Sequence, residues 1–221
     1  MKPLRPVASL ALGVSTALLV TFASAAPTRA DDVRTFEQVY TLDKADGARI
    51  EIGAGTLRIE PARDHKLRAT VTLQCQHVDT GCARRAKNIS LEGGYLGRQF
   101  VLKLEGLPKM NTRGLSANAV IQVPRELDVE LVVGAGQVVV HDLEKDVRVD
   151  LGVGEVSVDM RDARVGSVAM DIGLGDARLR RRDHDIDSHG WLSKSVDWTG
   201  GAGPGRVHVH IGVGDAEVSL K

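Results

Sequence analysis

The sequence predicts an all-β, single-domain β-solenoid, a parallel β-helix-like stack whose coils turn at Gly-x-Gly corners. Three observations predict it. Five segments align without gaps around a Gly-x-Gly core: 50–59, 131–140, 149–158, 170–179 and 209–218. Within each, apolar residues fall at −3, −1, +1, +4 and +6 from the first glycine, so a period of two changes phase at the glycines. Period two marks a strand with one buried face, and a phase change marks an inserted residue at a bulge or corner. Finally, the first glycines stand at 53, 134, 152, 173 and 212, offsets near multiples of ~20 residues, as stacked short coils require. A two-sheet β-sandwich with Gly-x-Gly hairpins is the alternative.

From the N-terminus, Lys2 and Arg5 form a basic start, Val7 to Phe22 is mostly apolar, and Ala23-Ser24-Ala25 supplies small residues. This is the three-part export pattern, so residues 1–25 are expected to be a cleaved signal peptide. No cysteine lies near the cleavage site, so no lipid anchor is expected. The apolar run is short for a spanning helix, and nothing downstream is apolar enough to span a membrane. The expected location is the periplasm or the outside of the cell. Residues 26–44 read as an N-terminal segment and 45–221 as the domain.

Of the 221 residues, 29 are basic and 29 acidic. Removing Lys2 and Arg5 with the leader leaves 27 against 29, which argues against a nucleic-acid partner. Aromatic residues at 3% disfavour stacking platforms for bases or sugars.

Cys75 and Cys82 are the only cysteines. Two close cysteines in an exported chain are expected to form a disulfide. Redox pairs usually have Cys-x-x-Cys spacing, and His77 is the only nearby residue suited to zinc.

The repeat assigns structural roles to Gly53, Gly55, Gly134, Gly136, Gly152, Gly154, Gly173, Gly175, Gly212 and Gly214, because glycine adopts positive φ at little cost. None of these pairs has the third glycine and following helix of a dinucleotide-binding loop. Weaker strand-like runs lie at 69–74, 89–92, 100–104 and 119–123. The stretch 180–204 breaks the repeat and reads as a loop or irregular coil.

The phrases Ala119-Val-Ile-Gln-Val-Pro124 and Leu127-Asp-Val-Glu-Leu-Val-Val-Gly-Ala-Gly-Gln-Val138, followed by serial Gly-x-Gly strands, resemble the bacterial "putative adhesin" family of exported β-helical domains. The resemblance covers roughly 45–221 and rests on the strand pattern. It implies a β-helical envelope domain and brings no catalytic motif with it.

Stacking aligns outward residues into columns. Two positions before the first glycine stand Glu51, Val132, Asp150, Asp171 and His210; three after it stand Thr56, Gln137, Glu155, Asp176 and Asp215. With rungs ~4.8 Å apart, Asp150/Asp171 and Glu155/Asp176 are expected as like-charge neighbours. Arg148 and Arg178 are placed to balance them. Asp183, Asp185 and His189, with His208 and His210, form a candidate metal set. A mixed imidazole and carboxylate set suits zinc, copper or nickel better than calcium. Arg180-Arg181-Arg182 precedes Asp183, Asp185 and Asp187 and is expected to be neutralised by them. Trp191 and Trp198 are expected to cap the open end of the core.

No nucleophile, base and orienting acid share a recognised spacing. The reading is a non-enzymatic envelope protein without a cofactor, offering a β-solenoid surface to an envelope protein or surface polymer. The alternatives are a periplasmic metal-binding protein and a carbohydrate-active β-helix enzyme.

Overall fold

The structure, a computed structural model, describes residues 31–42, 44–75, 81–106, 114–190 and 193–221. The leader lies outside them, as do His77 and Trp191. The fold is all-β. The strands are β1 (Asp31–Thr41), β2 (Gly47–Ala62), β3 (Lys66–Cys75), β4 (Ser90–Leu96), β5 (Gln99–Glu105), β6 (Leu115–Pro124) and β7 (Asp128–His141). They continue with β8 (Val147–Met160), β9 (Val165–Leu174), β10 (Ala177–Arg180), β11 (Asp185–Asp187), β12 (Lys194–Thr199) and β13 (Gly205–Leu220). A one-turn helix, α1 (Cys82–Ala86), and a 3₁₀ turn at Asp162–Arg164 are the helical pieces among the described residues.

The strands form one mixed sheet that does not close on itself, ordered β1-β3-β6-β2-β7-β8-β13-β10-β11, with β5 also on β2, β4 on β5, β9 on β13 and β12 on β9. The long strands β2, β7, β8 and β13 run straight through their Gly-x-Gly corners. Before the glycines, β2 pairs with β5; after them, it pairs with β6. β13 likewise pairs with β9 before the corner and with β10 after it. The sheet therefore has two arms that share one crease. Their inward residues meet in a single apolar cluster, for example Leu131 and Val133 from one arm with Val138 and Val140 from the other.

All central pairings are parallel and in register, with Leu131 opposite Val149 and Val149 opposite Val209. Each strand carries the same extra residue at the same level, so every strand bends without slipping past its neighbours. The strands are not stacked in chain order, however. β13 lies between β8 and β9/β10, and β2 lies between β5/β6 and β7. Antiparallel strands close both ends, so simple coil-after-coil stacking is not what the pairing shows.

The division of labour within each glycine pair also differs from expectation. Positive φ belongs to the second glycine: Gly55, Gly136, Gly154, Gly175 and Gly214 have φ of 135 to 140°. The first glycine has ordinary φ but is in close contact, since a Cβ on Gly152 would lie 2.4 Å from the Gly134 carbonyl oxygen.

Three segments become strands that the sequence pattern did not resolve. β1 lies antiparallel to β3, and β11 and β12 fall inside 180–204. The β1 end is tied down by Arg34, whose Nη1 donates to the carbonyls of Ala86, the last residue of α1, and of Lys87 and Ile89 just past it. Nearby, Phe100 is buried beneath Tyr40 and Tyr95, with ring centroids at 4.8 and 5.3 Å.

Candidate functional site: the crease of the sheet

At the crease three of the five +1 residues turn outward, contrary to the simple alternation, while Ala135 is half-buried and Ala54 buried. Val153, Leu174 and Val213 are 43%, 54% and 45% exposed, whereas Val156 and Val158 beyond the corner are buried. The glycine at position 0 consumes the outward phase without a side chain, and the bend then pushes the next residue out. Registered pairing aligns these side chains across the sheet: Ala54 beside Ala135, Ala135 beside Val153, Val153 beside Val213, and Val213 beside Leu174. The result is an apolar ridge running across the strands, low at the alanines and high at Leu174. These three residues are half of the large apolar side chains exposed among the described residues.

Glycine columns flank the ridge, and polar columns stand beyond them. Across the strands, one column, polar except at Val132, reads Lys103, Glu51, Val132, Asp150, His210 and Asp171. Its neighbouring glycines floor a shallow trough of ≈ 440 Å³ lined by Glu51, Lys103, Asp150 and His210. The other column reads Thr56, Gln137, Glu155 and Asp215, with Asp176 next in the line.

The order of strands corrects both like-charge pairs read from the sequence. His210 separates Asp150 from Asp171, and Asp215 separates Glu155 from Asp176. Instead, three carboxylates follow one another at Glu155, Asp215 and Asp176. Asp215 Oδ1 accepts from the Asp176 backbone N–H at 2.8 Å, and Lys194 is ion-paired with Asp176. Arg148 Nε bonds Asp150 at 3.0 Å, and this hydrogen bond holds the guanidinium pKa above its usual value. Arg178 pairs with Asp187 on β11, 2.6 Å away, rather than with the columns. Glu155 and Asp171 make no ion pair among the described residues, and both are exposed.

The metal set is not assembled. Asp183 pairs with Arg181 and His184, Asp185 lies on β11 opposite Arg180, and His189 bridges Ser195 beyond β9. His208 and His210 stand on the first arm of β13, opposite Ala169 and Asp171 of β9. No group of three or more His, Cys, Asp or Glu among the described residues is placed to hold a metal ion. Asp185 joins the second arm through β11, whereas His208 and His210 lie on the first arm, the side on which His189 bridges Ser195 of β12.

Cys75 and Cys82 form a disulfide, with Cα atoms 5.9 Å apart. Arg180 pairs with Glu217, and Arg181 with Asp183, so two of the three arginines are neutralised locally. Trp198 packs against the core at the β12 end, with the Arg181 guanidinium 4.6 Å from its ring centroid.

No family model matches the chain, and no curated protein matches it. Among solved structures it is similar to a "putative cell adhesion protein" of Clostridium sporogenes, at 12% identity and TM-score 0.49, over 85% of this chain and 99% of that one. It is also similar to a "putative adhesin" of Bacteroides fragilis, at 8% identity and TM-score 0.29, over 84% and 97% of the two chains. A "putative lipid binding protein" of Parabacteroides distasonis matches at 9% identity and TM-score 0.23, over 85% and 97%. At these identities and scores none transfers a function to this chain. No helix among the described residues is long and apolar enough to cross a membrane.

Proposed function

We propose that this chain is an exported, non-enzymatic envelope protein that offers the crease of its sheet to an envelope protein or surface polymer. The apolar ridge of Val153, Val213 and Leu174 carries the reading. Exposed apolar side chains in a contiguous line cost solvation free energy, and such patches mark interaction sites. In-register parallel strands fix the spacing of the ridge, so the surface needs no rearrangement to bind. The in-register parallel stack supports a β-solenoid-like description of the fold, while two arms meeting in one core support the β-sandwich alternative. The leader pattern and the disulfide support export.

The test compares the mature chain, residues 26–221, with a variant carrying Val153→Ser, Leu174→Ser and Val213→Ser. Both are immobilised and exposed to envelope extract. Protein or polymer retained by the parent and lost from the variant is expected. Equal retention by both, or none by either, refutes the reading.

A further inference from the structure

We infer that the occupant of the crease is an amphipathic helix with an apolar stripe flanked by lysine or arginine, an inference that rests on the crease being the binding surface. The first argument is spacing. The ridge advances ~4.8 Å per strand, and a helix lying along it advances 5.4 Å per turn, about one apolar side chain for each strand. From Ala135 to Leu174 there are four strands, so the accessible ridge is ~14 Å long. A helix of about 10 residues covers that length.

The second argument is charge. At the high end of the ridge, Asp150 and Asp171 stand on one side, and Glu155, Asp215 and Asp176 on the other. Basic side chains on both shoulders of a docked helix meet carboxylates on both sides of its apolar stripe. An acidic helix is repelled by both columns, and an anionic bilayer is repelled in the same way. Of these acids, Asp150 and Asp176 already have local cations, Asp215 already accepts from the Asp176 backbone N–H, and Glu155 and Asp171 have neither. Those two therefore contribute most to recognition.

The third argument is relief. Side-chain-free glycine columns lie on either side of the ridge, and Gly152, Gly173 and Gly212 are exposed. A cylinder ~10–12 Å across can settle over a narrow ridge only where the flanks are low. A side chain at these positions would hold it off.

Three synthetic 15-residue peptides test the idea against the mature chain by calorimetry: an amphipathic Leu/Lys helix, a scramble of the same composition without an apolar face, and a Leu/Glu helix. The Leu/Lys helix is expected to bind, more weakly as salt rises. The scramble and the Leu/Glu helix are expected to bind at least about tenfold more weakly. The ridge variant should lose about tenfold or more. Glu155→Gln with Asp171→Asn should weaken binding and flatten its salt dependence. Amide shifts on the parent protein should map to the ridge and columns, a readout that does not depend on any variant folding. Equal binding of the scramble, an unaffected ridge variant, or shifts elsewhere would overturn the inference. So would preferential binding to phosphatidylglycerol vesicles. If the Leu/Lys helix fails while retention from envelope extract still depends on the ridge, the partner class is wrong and the surface stands. If both fail, the surface itself falls.

Discussion

Replacing Gly154 with alanine separates the two reasons for glycine at the crease. Gly154 has φ of 140°, and a Cβ built there lies 1.8 Å from the Gly136 carbonyl oxygen. Ordinary contact begins near 3.4 Å, so the backbones must part by more than an ångström between rungs that are hydrogen-bonded on both sides. Strained φ costs of order 1–3 kcal/mol, and forcing extra volume into packed structure costs typically about 1–3 kcal/mol more. The expected loss is therefore about 3–5 kcal/mol, a large share of a typical stability of 5–15 kcal/mol. Three other glycines isolate the contributions. Gly200 has φ of 143° with nothing within 4 Å of a Cβ, so alanine there meets strain without a clash. Gly152 has ordinary φ with an oxygen 2.4 Å away, so alanine there clashes without strain. Gly94 has neither, and alanine should be neutral or stabilising by up to ~1 kcal/mol. Urea unfolding of the disulfide-intact protein should rank stability Gly94→Ala above both Gly200→Ala and Gly152→Ala, with Gly154→Ala last. If Gly154→Ala lies within ~0.5 kcal/mol of Gly94→Ala, the steric account of the crease is wrong.

Reducing the Cys75–Cys82 disulfide, which spans a sequence separation of 7, should lower stability by about 2–3 kcal/mol, read as a shift of the urea midpoint with dithiothreitol. Phe100→Ala should cost about 3–5 kcal/mol, because Phe100 is buried under two tyrosine rings and its removal leaves a cavity; the same unfolding assay measures it. The Arg68 hydrogen bonds hold the Asp64 carboxyl at about 2, below its ordinary 3.8. A depressed folded-state pKa contributes stability above the unfolded value, and that contribution is lost as pH falls from about 4 towards 2. Carboxyl-carbon NMR titration should follow this midpoint, and Arg68→Gln should raise it towards the ordinary value.

The crease was visible in the sequence because each of its five copies repeats the same phase change around two glycines. The role of each glycine was not visible, since φ and interstrand distance depend on what lies alongside. Outward exposure at +1 was hidden for a similar reason: Val153, Leu174 and Val213 are as apolar as the core residues at −1. β1 was missed because its residues are mostly polar, and its place comes from pairing with β3. Asp185 and the two β13 histidines stand apart because nearness in sequence does not decide which arm of a bent sheet a segment joins.

The order of strands is the deepest gap between sequence and structure, and it has a physical cause. Five copies with the same corner can pair with one another in any order at similar local cost, so the pattern alone cannot choose. Continuity can. β2, β7, β8 and β13 pass through the crease unbroken, whereas β9 ends at Leu174 and β10 begins at Ala177, and β5 ends at Glu105 and β6 begins at Leu115. An interrupted strand in the middle would disturb the ladder on both sides. At the margin it disturbs one parallel neighbour and can take antiparallel partners beyond it. The structure places both interrupted pairs outside the unbroken four, with β4 and β3 beyond one and β12 and β11 beyond the other. This arrangement brings β13 from the C-terminus into the space beside β8. It puts Val213 between Val153 and Leu174, and His210 and Asp215 between the acids, so that the ridge and both columns arise from the same choice that continuity makes.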